Sequence, residues 1–196
     1  MERAQNNRKK KATKHIGTSI KKKSVGEARI SNGRKEKTSM VIVDAQSVKN
    51  TDIAREKGYD AGKKVSGIKR HIAVDTNGLP HGIEVTTANV TDRDGALLLT
   101  KRSKETLSDV EKMLVDGAYT GENFAHAIKK AIGATVEVVK RNELHTFKVL
   151  PKRWVVERSF SWLEKCRRLW KNCERKLSTS RHMIILAFIS LLLRRV

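Results

Sequence analysis

The chain has 196 residues, 42 Lys plus Arg against 21 Asp plus Glu, a formal net charge of +21, and 38% hydrophobic residues. This is the capacity of one ordinary domain plus extensions, with enough apolar residues to exclude wholesale disorder. The longest apolar run, Met183 to Leu193, is 11 residues broken by Ser190 and the first 23 residues are polar and basic, so neither a bilayer span of about 20 apolar residues nor a signal-peptide core is present, and a cytoplasmic protein without a membrane partner is expected.

Residues 1–37 carry 13 basic and 3 acidic side chains and read as a disordered basic arm. MVIVD (40–44) is a short β-branched run that predicts a buried strand ending at Asp44. After a polar loop over 49–66, IKRHIAVD (68–75) and LPHGIEVTTA (79–88) flank Thr76-Asn77-Gly78, and Asn-Gly between two such runs predicts a hairpin. Thr91 or Asp92 caps a helix starting near Arg93 with Leu97, Leu98 and Leu99 turned toward the core. EKMLVDGAYTG (111–121) predicts a second strand with an acid, Asp116, at its end. A helix over about 122–132 closed by Gly133 and a strand over 134–139 follow. From Pro151 onward, Val156, Phe160, Leu163, Cys166 and Trp170 recur at three-to-four spacing and predict one amphipathic helix reaching toward Trp170 and Asn172; a packed helix over about 180–194 ends the chain.

The charge follows the same division. Residues 38–139 hold 14 basic and 14 acidic groups, and residues 140–196 hold 15 and 4. A neutral body between basic flanks suits a polyanion, because each neutralised phosphate releases counterions. Cys166 and Cys173 fit reduced thiols on a cytosolic helix better than a disulfide or a metal site. The order β-β-β-α-β-α-β and then helices predicts an α/β, ribonuclease-H-like mixed sheet over 38–176, with 177–196 as a C-terminal packing helix.

In such a sheet the first and fourth strands are neighbours, so Asp44 and Asp116 would lie side by side. Two close carboxylates repel unless a divalent cation neutralises them. Glu157, at the start of the amphipathic helix beside Arg153, Trp154 and Arg158, is the best third acid. Three carboxylates can hold two Mg²⁺ or Mn²⁺ ions about 3.5–4 Å apart, one activating a water or 3′-hydroxyl and the other stabilising the leaving oxygen of a phosphodiester. Asp75, Asp92 and Asp94 have structural explanations as turn and cap residues. His71, His81, His126 and His145 read as hairpin or surface residues, without zinc spacing.

IVDAQSVK (42–49), GYDAGKKVSGIKRHIAVDTNGLPH (58–81), TTANVTDRDGA (86–96), LVDGAYTGENF (114–124) and LPKRWVVERSFSWLEKCRRLWKNCERK (150–176) closely resemble DDE transposases of bacterial insertion sequences, in the insertion-sequence-five-like branch. The resemblance runs from about residue 24 to the C-terminus. It implies a ribonuclease-H-like catalytic domain that cuts and joins transposon-end DNA with divalent metal, its acids falling on Asp44, Asp116 and Glu157. A superfamily signature places Arg four residues before the Glu, matched by Arg153 as a phosphate-binding or Glu-orienting residue. The same signature has Tyr seven before and Lys seven after the Glu, where this chain has Leu150 and Glu164. Arg153, Arg158, Lys165, Arg167 and Arg168 are expected along the DNA path, with double-stranded transposon-end and target DNA as partner, a homo-oligomer in synapsis, and a nucleoid-associated location in a bacterium. Residues 1–37 do not match the helical DNA-binding region that usually precedes this domain. The alternative is a truncated, catalytically inactive remnant that binds DNA non-specifically.

Overall fold

The computed structural model describes residues 23–139 and 154–194. A helix at 23–31, α1, precedes β1 Met40–Lys49, β2 Gly58–Asp60, β3 Val65–Val74, β4 Pro80–Thr87, α2 Asp92–Arg102, β5 Lys112–Asp116, α3 Glu122–Ile132, β6 Thr135–Val139, α4 Trp154–Glu164 and α5 Leu177–Leu192. β3 carries β4 and β2 on one side and β1 on the other, and β1 continues through β5 to β6. The β1–β3 and β3–β4 pairs are antiparallel, whereas β1–β5 and β5–β6 are parallel. The mixed α/β sheet expected from the sequence is therefore present, with β1 and the second acid-bearing strand, β5, as neighbours.

Strand alternation sends side chains to two cores. Ile42, Val48, Ile68, Ile72 and Leu114 face Val155, Val156, Phe160, Leu163, Ile184, Ile185 and Phe188 of α4 and α5. Val41, Val43, Ala73, Met113 and Val115 face the opposite layer, with Ala96 and Leu99 of α2 and Phe124 and Ile128 of α3. Local signals behave as their chemistry dictates. The Thr91 side chain accepts from Asp94 N–H and its hydroxyl donates to the Asp94 carboxylate, fixing the start of α2. Gly133 ends α3 in the left-handed region at φ 77°, a backbone conformation that residues with a side chain rarely adopt.

Four segments depart from the sequence reading. β1 does not stop at Asp44: it runs on to Lys49 because β3 supplies an antiparallel partner down to the Lys49–Gly67 pair. The loop over 49–66 contains β2, held by pairing of Gly58–Asp60 with Val65–Gly67. α4 ends at Glu164, and turns follow through 165–171. There Leu169 is buried while its carbonyl accepts from Arg70, and Asn172 bonds back to Lys49 and Thr51, which bends the chain away from a straight helix.

The fourth departure is α1. Within the segment read as a basic arm, Val25 and Ala28 are buried against Leu79 and Leu192, and Arg29 forms a buried ion pair with Asp75. An amphipathic spacing of two small apolar residues was hidden by the surrounding Lys and Arg. Asp75 itself does what a turn acid does, accepting from Asn77 and Leu79 N–H at 2.9 and 3.0 Å. Asp92 and Asp94 are likewise structural, Asp92 pairing with the buried Lys69 at 2.8 Å.

His71 is no surface residue: it is fully buried on β3, its Nε2 2.9 Å from Thr86 Oγ1, with its ring packed where a Cβ on Gly95 would stand. Burial pushes its pKa down from 6.5 to about 4, Asp92 opposing and Lys69 and Lys63 reinforcing. A base with a depressed folded pKa binds more protons unfolded, so this contribution is complete above pH ~6.5 and is lost as pH falls toward 4. A drop of that size corresponds to roughly 3 kcal/mol at most. Urea melts at pH 7 and pH 5 are expected to show the acid-side loss; equal midpoints would contradict a neutral buried His71.

Candidate active site

Asp44 and Asp116 are set by the parallel β1–β5 ladder. Its last pair is Ile42–Leu114, and two residues further along each strand stand the two aspartates. By parity both share the face of Ile42 and Leu114, the face covered by α4 and α5. They line one pocket together with Ile42, Val43, Leu114, Val115, Val139 and Val156. One oxygen of each carboxylate accepts a local backbone N–H: Asp44 from Ala45 at 2.7 Å and Asp116 from Ala118 at 2.9 Å. The second contact also caps the 3₁₀ turn Gly117–Tyr119. Both groups are half-buried. These short contacts restrict how the carboxylates rotate, which is what an orienting site requires.

Glu157 sits in the first turn of α4, next to the pocket-lining Val156, and is exposed. It does not itself line the pocket. Among the described residues no group of three or more His, Cys, Asp or Glu is arranged to hold a metal ion. The aspartate pair nevertheless offers the hard oxygen donors that Mg²⁺ or Mn²⁺ takes, and Mg²⁺ commonly binds one or two carboxylates and completes its shell with water and substrate phosphate. The donor set of Asp44 and Asp116, brought together on one pocket, fits such an ion, and Glu157 follows the pocket-lining Val156 in α4.

Of the cations expected along DNA, Arg153 lies outside the described residues. Arg158 has its guanidinium over the Trp154 ring at 4.5 Å and the Trp162 ring at 4.9 Å. Lys165 and Arg167 are exposed. Arg168 is already engaged, its Nε donating to Glu174 at 2.8 Å, which raises its pKa.

Sequence reasoning missed two contacts near the acids. Gln46, on the same face of β1 as Asp44, donates from Nε2 to Glu164 at 2.6 Å, tying the strand that carries Asp44 to the helix that carries Glu157. Lys63 Nζ donates to the Ala45 carbonyl at 3.1 Å, bringing a cation from the β2–β3 turn beside Asp44. The first had a legible signal, because positions 44 and 46 share a strand face and 157 and 164 are two helical turns apart; the second, a loop-to-strand reach, had none.

The sequence pattern of the family described as Transposase DDE domain matches residues 35–193. The Burkholderia cepacia protein named "Putative transposase for insertion sequence element IS402" is 32% identical over 117 residues, 56% of this chain and 55% of that relative. The chain thus spans about half the length of the curated relative it matches. Among solved structures, a chain of the simian T-cell lymphotropic virus intasome in complex with PP2A regulatory subunit B56 gamma is 14% identical with a TM-score of 0.51, over 76% of this chain and 47% of that one. That likeness bears on the fold alone. The Mos1 mariner paired end complex with Mn gives a TM-score of 0.34 at 12% identity, over 92% of this chain and 60% of that one.

Proposed function

The chain belongs to the DDE-domain transposases, and we propose that it hydrolyses a phosphodiester at transposon ends and then joins the freed 3′-hydroxyl to target DNA, with Asp44, Asp116 and Glu157 as its acids. The observation that carries this reading is the convergence of Asp44, in the middle of β1, and Asp116, at the end of the parallel neighbour β5, on one pocket that Val156 of α4 also lines. When bound there, divalent cations supply activation of the attacking oxygen and charge stabilisation at the leaving one. Asp44 and Asp116 would hold them, oriented by the N–H groups of Ala45 and Ala118, and Glu157 would complete the set. Nicking of supercoiled plasmid in Mg²⁺ or Mn²⁺, compared with Asp116→Asn, is the test.

The inactive-remnant reading is favoured by one observation, that the pocket Asp44 and Asp116 share is lined by Val156 and not by Glu157. Plasmid nicking separates the two, since only the active chain cuts. In either case Lys165 and Arg167 contribute charge for double-stranded DNA from the exposed turn after α4. Binding should weaken steeply with salt, and Lys165→Ala or Arg167→Ala should each reduce the slope of log affinity against log salt by about 0.9 if each contacts one phosphate. Unchanged slopes in both variants would remove these residues from the DNA path. The homo-oligomer required to bring two ends together belongs to the same proposal, as does a nucleoid-associated location; no helix among the described residues is long and apolar enough to cross a membrane.

A further inference from the structure

Glu164 closes α4, two helical turns after Glu157, with no basic residue in that last turn. A carboxylate there meets the negative end of the helix dipole and gains nothing from it. It is held from the sheet instead: Gln46 Nε2 donates to Glu164 Oε1 at 2.6 Å. Across the β1–β3 ladder the residue opposite Gln46 is Arg70. Arg70 is 1% exposed, and its Nη2 donates to the Leu169 carbonyl just beyond α4. Among the described residues Arg70 Nε and Nη1 have no hydrogen-bond partner, and neither does Gln46 Oε1. Burial pushes the Arg70 pKa down from 12.5 to about 10, with the charges of Glu164 and Cys166 opposing. An apolar side chain would fill this place on β3 without that desolvation, so a guanidinium kept there, short of partners, points to a role other than stability.

We propose that Gln46, Arg70 and Glu164 form a clasp that sets the rotation of α4 over the sheet, which makes Glu164 and Arg70 positioning residues for Glu157. The strand end of the clasp shares a face of β1 with Asp44, and its helix end shares α4 with Glu157. Rotation is the coordinate that matters. Val156 lines the pocket of Asp44 and Asp116, and the next residue of a helix lies about 100° further around its axis. A fraction of that angle decides how close Glu157 stands to the two aspartates, and a misplacement of about 1 Å can cost about 10²-fold in rate. Burial of Val156, Phe160 and Leu163 holds α4 down, but apolar contact is non-directional, whereas a hydrogen bond has one favoured angle. Gln46 supplies that angle, and the buried charge of Arg70 holds the Glu164 carboxylate to it.

The inference rests on the acid-site reading and adds how its third member is placed. The test is calorimetric titration of the full chain with Mn²⁺, alongside urea unfolding. Glu164→Ala and Glu157→Gln are each expected to weaken Mn²⁺ binding about tenfold, and the double variant no further, because Glu164 acts through Glu157. Glu164→Gln keeps an acceptor for Gln46 and is expected to recover part of the loss. Arg70→Met, similar in volume and without the buried charge, is expected to bind Mn²⁺ as weakly as Glu164→Ala while unfolding close to the native midpoint. Native-like binding in Glu164→Ala or Glu157→Gln overturns the proposal, as does a further loss in the double variant. So does an Arg70→Met protein that unfolds early yet binds Mn²⁺ as the native chain does, which would make Arg70 a support only. If the native chain binds Mn²⁺ and Asp116→Asn does not, these failures fall on this proposal alone. A native chain that does not bind Mn²⁺ would overturn the acid-site reading with it.

Discussion

Asp116→Asn is expected to nick supercoiled plasmid on the order of 10³-fold more slowly than the native chain, because losing one metal-holding carboxylate forfeits several kcal/mol of transition-state stabilisation and each 1.36 kcal/mol is about tenfold in rate. The substitution is informative because it spares the other role of this side chain. Asp116 Oδ1 accepts from Ala118 N–H at 2.9 Å, and an amide oxygen in the same position can accept it too, so the turn cap and the unfolding midpoint should be nearly unchanged. Asp44→Asn is isosteric in the same way at Ala45. A stable Asp116→Asn protein that nicks at the native rate would show that the two aspartates serve the turn and the strand only. Glu157→Gln tests the third position: native-rate nicking there, with both aspartate variants dead, would confine the site to the pair.

What the sequence showed and what it concealed divide along a physical line. Features written in a few adjacent residues were legible: the Asn77-Gly78 hairpin, the Thr91 cap, the Gly133 stop and the apolar runs that bury Ile42 and Leu114. Asp44 and Asp116 could be paired because strand order follows from the order of elements, and parallel neighbours bring equal positions level. Features that depend on a distant partner were not legible. β1 outlasts Asp44 because β3 lies beside it, and β2 exists because Val65–Gly67 offers an edge. α4 stops at Glu164 because Leu169 and Asn172 find partners on β3 and β1 that a continuing helix would miss. Arg158 was legible as a cation in the same helix turn as Glu157, but its place between Trp154 and Trp162 depends on their every-fourth-residue spacing, which lies off the apolar stripe of Val156, Phe160 and Leu163.

Asp75→Ala is expected to destabilise the chain by about 3–5 kcal/mol, the range for leaving one partner of a buried ion pair uncompensated. Asp75 is fully buried and serves three parts of the molecule at once. It pairs with Arg29 of α1, meets His81 Nε2 at 3.3 Å and accepts two N–H groups of the hairpin turn. Burial raises its pKa, but hydrogen bonding and charge from His81 and the two turn N–H groups outweigh it, so its pKa lies below the ordinary 3.8. A carboxyl with a depressed folded pKa contributes stability that is present above the unfolded value and lost as pH falls through the folded one. The variant's deficit should therefore be largest near neutral pH and shrink in strong acid. Arg29→Met separates the ion pair from the turn: it removes the α1 partner but keeps the turn contacts, so it should cost less than Asp75→Ala. Urea unfolding of both variants at pH 7 supplies the measurement. A loss below about 1 kcal/mol in Asp75→Ala would mean that α1 does not dock on the hairpin as the buried pair requires.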